Sequence, residues 1–180
     1  MFFKSKKKIA EEITVGVLNQ FKPAFLYSKY IEKDGFFIPP KGFWTDNYII
    51  GFTHQLILLS LDYDFNGKAM SVQKRGDIIL MALQLICEDD WPLAIHSANN
   101  NFPKAEHDQD KEFARGSNDA ATMYGAAIGR LKPDDPDPIL KQAYSLASSM
   151  GPSYTSLVGA ILILTITKHI KESFIKDNEE

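Results

Sequence analysis

Ile9, Ile13, Val17, Phe21 and Phe25 return every four residues, and Leu18 falls beside them. On a helix these side chains form one apolar stripe. On a strand the same side would also carry Glu11 and Asn19, while Leu18 would turn away to the opposite face. The spacing therefore predicts an amphipathic helix from about Lys6 to Lys33. Pro23 lies inside it and removes a backbone donor, so a kink or break is expected near Phe21.

The same period persists along the chain, and no convincing period-two alternation interrupts it. Thr45 or Asp46 can cap a second helix over 46–61, NYIIGFTHQLILLSL, which is apolar on nearly all sides and so reads as buried. Ser71 can cap a third helix from Val72 to about Glu88. Trp91-Pro92 opens a short segment to about His96, ended by SANNNFP. A helix follows from Lys104 to Leu131, with a weak point at Arg115-Gly116-Ser117 and a second half of small residues that lets a neighbour approach closely. KPDDPDP is a loop, Pro138 suits the first turn of the next helix, and Gly151-Pro152 stops it. A last helix covers 153–175. The expected fold is all-α: a single compact bundle of about six or seven helices over 1–180, with the helices near 46–61 and 153–175 central and residues 1–8 a flexible basic terminus.

Composition narrows the function classes. The chain has 180 residues and a net charge of −3 with both signs dispersed, so no global field favours nucleic acid. Its one cysteine, Cys87, lies in the apolar run DIILMALQLIC and reads as core filler in a reducing compartment. Glu11 and Glu12 interrupt what a secretory signal would need, and a cytoplasmic protein is expected.

DYDFNGKAMSVQ, residues 62–73, opens as a twelve-residue calcium loop does. Asp62, Asp64 and Asn66 fill its first three ligand positions, and Gly67 falls at the sharp turn. The last position is Gln73, one neutral oxygen in place of a bidentate carboxylate, so any affinity for Ca2+ is weak. The competing reading is a helix-hairpin turn that needs Asp, Asn and Gly for its own backbone. No other cofactor is predicted.

His54 stands in the greasy second helix beside Gln55 and shares a face with Asn47 and Gly51. It is either a core histidine or the floor of a pocket with Trp44 and Asp46 at the mouth. Glu88, Asp89 and Asp90 sit at the unfavourable end of a helix dipole, solvation being the simplest remedy. In AEHDQDKEFAR the acids suit a solvated helix start, and the chain has no Glu-x-x-His pair for a dimetal site. SLVGAILILTIT falls short of the ~20 residues that span a bilayer. MFFKSKKK joins Phe2 and Phe3 to four lysines, chemistry for a weak peripheral membrane contact, or simply a frayed, solubilising end whose lysines oppose the helix dipole.

Phosphate-cradling glycine loops, nucleophile elbows and paired zinc cysteines are missing from the sequence. The expectation is a non-catalytic binding or interaction module whose partner is another protein or a second copy of itself. Phe36, Phe37, Ile38, Phe43 and Trp44 are apolar groups that either cover the core or meet that partner. The alternatives are an enzyme or small-molecule binder built around His54, and a weak calcium binder at 62–73.

Overall fold

A computed structural model describes residues 4–28, 39–131, 137–151 and 154–175. Every regular element among them is helical, so the protein is all-α. Helix α1 covers Lys6–Ser28, α2 Asn47–Asp64, α3 Val72–Cys87, α4 Trp91–Asn101, α5 Lys111–Ala127, α6 Pro138–Met150 and α7 Tyr154–Leu162. After α7 come a π-helical stretch Ile163–Thr167, a single α-turn α8 at Lys168–Ile170, and a second π stretch Lys171–Ile175. The backbone packs as two compact units. One comprises residues 1–20 and 41–120, the other 21–40 and 121–180, so α1 and α5 each begin in the first and end in the second.

In the first unit, Ile9, Ile13 and Val17 of α1 are buried as their spacing requires. Its helix starts at Lys6, as the spacing predicts, with Lys6 to Lys8 in the first turn. Three contacts offset their opposition to the dipole. Ser5 Oγ accepts from Lys8 N at 3.2 Å, Lys4 reaches Glu12 at 2.5 Å, and Lys6 reaches Asp77 of α3 at 2.7 Å. Asp46 is the residue that caps α2, accepting from Ile49 N at 3.0 Å, while Thr45 bonds back to Gly42. Along α2, Tyr48, Ile49, Ile50, Phe52, Leu56, Ile57 and Leu61 are all buried. Each such side chain contributes about 1.5–3 kcal/mol by leaving water. α2 packs on α3 and α4, which pack on each other.

The carboxylates Glu88–Asp90 form a 3-10 turn, and α4 starts directly after it at Trp91. They therefore face the positive end of α4 as well as the negative end of α3, which offsets the expected dipole cost. α4 runs on to Asn101, five residues beyond the expected end at His96. Its polar residues support rather than stop it. Ser97 donates to Asn47 Oδ1 at 2.8 Å, Asn101 Nδ2 donates to Ser97 O at 2.9 Å, and Asn101 Oδ1 accepts from Asp110 N at 2.8 Å.

In the second unit, Phe21, Ala24 and Phe25 bury the end of α1. Of the kink or break expected near Phe21, the break does not occur: the helix continues through Pro23. One lost backbone bond is outweighed by three buried side chains around it. Asp137 caps α6 through Ile139 N at 2.8 Å, with Pro138 in the first turn as expected. Gly151, at φ 105°, ends α6, and α6 packs against α7. The first π stretch falls where β-branched residues crowd, at ILTIT. There Thr165 Oγ1 donates to Ile161 O at 2.7 Å, a back-bond that competes with the regular ladder. The expected helical residues 29–33, the apolar residues Phe36, Phe37 and Ile38, and the loop residues 132–136 lie outside the described residues, as do Phe2 and Phe3. Among the described residues, no helix is long and apolar enough to cross a membrane.

Candidate functional site

The most constrained feature of the first unit is the crossing of α2 and α5. A Cβ on Gly51 would stand 2.2 Å from Phe113 O, and one on Gly116 would stand 2.1 Å from Tyr48 O. Only glycine lets the two backbones come this close. Ser117 Oγ then donates to Gly51 O at 3.2 Å, one residue past the notch. α5 is continuous through Arg115-Gly116-Ser117, where a weak point was expected. The glycine marks a close approach and leaves the helix whole.

One turn on, Asp119 is 5% exposed and accepts from Tyr48 Oη at 2.7 Å. The Arg115 guanidinium lies over the Tyr48 ring, 4.4 Å from its centroid, and pairs with Glu112. Burial works against the charge on Arg115, but Glu112, Tyr48 and Asp119 more than restore it and hold its pKa above the ordinary arginine value. Beside this group an open cleft of about 660 Å³ is lined by His107, Gln109, Lys111, Ala114, Arg115, Asn118 and Asp119. Its walls offer amide, cationic and carboxylate groups in one place. At the entry, Asp110 Oδ1 accepts from Glu112 N and Phe113 N at 3.0 and 3.1 Å, which fixes the start of α5 and so the position of Lys111.

The residues expected around His54 do not converge. His54 is 5% exposed; its ring meets Phe102 edge-on at 4.8 Å and Phe113 at 6.3 Å. Burial lowers its pKa to about 4, so it is neutral at pH 7. Asp46 is committed to its cap, about 12 Å back along the helix axis. Trp44 and Phe43 are buried against each other at 4.7 Å, so this pair covers the core. Gln55 is half-buried on α2.

The 62–73 segment folds as a helix-hairpin turn. Asp62 pairs with Arg75 at 2.9 Å, a charge contact without hydrogen-bond alignment, since Asp62 Oδ1 has no bonded donor. Asp64 is exposed, and Asn66 adopts the left-handed conformation at φ 55°. Gly67 turns so tightly that a Cβ would meet Asp62 Oδ1 at 2.8 Å. Ser71 caps α3 through Lys74 N at 3.3 Å, and Gln73 Nε2 donates to Asp77 Oδ1 at 2.8 Å. Lys6 first, then Gln73, holds the Asp77 carboxyl below its ordinary pKa. Asp62, Asn66, Gly67, Ser71 and Gln73 thus each have a structural occupation. Among the described residues no group of three or more His, Cys, Asp or Glu side chains gathers as a metal site.

Cys87 is buried, and burial with the nearby Asp90 pushes its thiol pKa up to about 12, an unreactive state. Sequence reasoning passed over Tyr48 and Asp119 and read Gly116 only as a weak point of its helix. Their signals were faint: a glycine inside a helical pattern and a lone acid among small residues. Comparison with protein-family models, curated proteins and solved structures finds no match for this chain.

Proposed function

We propose that the protein is a non-catalytic helical binding module that recognises a protein partner through the α5 cleft. The observation that carries this reading is the cleft's foundation: the glycine crossing of α2 and α5 and the buried Tyr48–Asp119 pair hold its wall rigid. A fixed wall lowers the ordering cost of binding. The mixed chemistry of Gln109, Lys111, Arg115 and Asn118 suits a polar peptide surface, including that of a second copy of this chain. His54 supports the pocket reading less, because its ring is packed between aromatic rings. Calcium at 62–73 has less support too, since Arg75 already neutralises Asp62. The shielded single thiol fits a reducing, cytoplasmic setting.

The test is site-specific photocrosslinking. A benzophenone side chain at Lys111, on the cleft wall, should give one discrete product, and the same group at the exposed Gly76 of α3 should give none. A product of twice the chain's mass identifies self-association, and a heavier or lighter one a different protein. Equal labelling from both positions, or none from Lys111, overturns the proposal.

A further inference from the structure

The N-terminal lysines are pinned to the first unit. Lys4 Nζ lies 5.3 Å from the centre of the Phe65 ring in the helix-hairpin turn, and Lys6 pairs with Asp77 on α3. These contacts bring two separate basic segments to one edge. Lys4, Lys6 and Lys74 line a single open groove of about 380 Å³ together with Ser5 and Ser71, the capping residues of α1 and α3. Lys7, Lys8 and Lys68 are exposed on the same segments. Val72 stands between two groove residues, Ser71 and Gln73. At 89% exposure it is the barest of the large apolar side chains described. Tyr63, also exposed, carries Lys68 over its ring at 5.7 Å. Asp77 and Glu12 are held by Lys6 and Lys4, so the acids at this edge are partly neutralised.

Cations around an exposed apolar tip are the chemistry of a headgroup contact: lysines meet lipid phosphates while the tip enters the acyl boundary. Charge complementarity selects an anionic surface, because three lysines and one acid, Asp77, line the groove. We propose that this edge, built from Lys4, Lys6, Lys68 and Lys74 around Val72, docks the protein reversibly on an anionic lipid bilayer. The surface is separate from the α5 cleft and does not depend on what fills it.

The test is co-sedimentation of the full chain with vesicles of phosphatidylcholine, with or without about a third phosphatidylserine. The expected result is binding to the phosphatidylserine vesicles alone, reversed by high salt. The double variant Lys68→Gln/Lys74→Gln should weaken it by about 25-fold, at about fivefold per lysine. Val72→Ser should weaken it severalfold, and its exposure means that the fold, checked by circular dichroism, should be kept. Lys168→Gln/Lys171→Gln, an equal charge loss on exposed residues of the second unit, should leave binding unchanged. Three outcomes would overturn the proposal: equal binding to both vesicles, equal weakening by the two double variants, or full competition by millimolar inorganic phosphate, which would make the groove a phosphate site.

Discussion

At the residue scale, the most consequential group is His54. Its pKa of about 4 lies below the ordinary 6.5, because the charged ring cannot be solvated among Phe102 and Phe113. The folded state therefore binds fewer protons than the unfolded state between these values. Its contribution is intact above pH 6.5 and is lost as pH falls toward 4, by up to roughly 3 kcal/mol. Urea unfolding at pH 7 and pH 5 should show this loss in the wild type and a smaller one in His54→Leu; equal losses would show that burial does not govern the histidine. Tyr48 is a second test at this scale. Tyr48→Phe keeps the ring under Arg115 but removes the donor to Asp119, and should cost about 1–2 kcal/mol in urea unfolding.

At the scale of elements, the α2–α5 crossing sets a sharp contrast among glycines. Gly51→Ala and Gly116→Ala each drive a methyl into the opposing backbone, and each should destabilise by about 1–3 kcal/mol despite alanine's better helix propensity. Gly76 in α3 has nothing within 4 Å of a Cβ, so Gly76→Ala should stabilise by roughly 0.5–1 kcal/mol. Thermal or urea midpoints distinguish the two signs. The sequence discloses the helices because burial stripes and caps are local: Ser71, Asp137 and the Ile9–Phe25 stripe each act within a few residues. It does not disclose the crossing, because what makes Gly51 necessary is the backbone of Phe113, far away in the chain. The same limit hid the Tyr48–Asp119 pair and the hold of Asp77 on Lys6. It also made Pro23 and the first-turn lysines look more disruptive than they are, since the burial and pairing that offset them come from elsewhere.

At the scale of the whole molecule, α1 and α5 each run from one unit into the other without a break. Melting one unit frays a helix of the second, so the chain should unfold in one transition, with calorimetric and van't Hoff enthalpies equal. Two resolved transitions would show that the units are energetically independent. The interleaving has a further outcome during synthesis. The first unit has all its residues once Ala120 has left the ribosome, whereas Phe21 and Phe25 emerge early and belong to a unit whose remaining members, from Ala121 onward, are made last. Phe21 and Phe25 are buried in a unit completed only at the end of translation, so nascent α1 is the segment on which a chaperone would act.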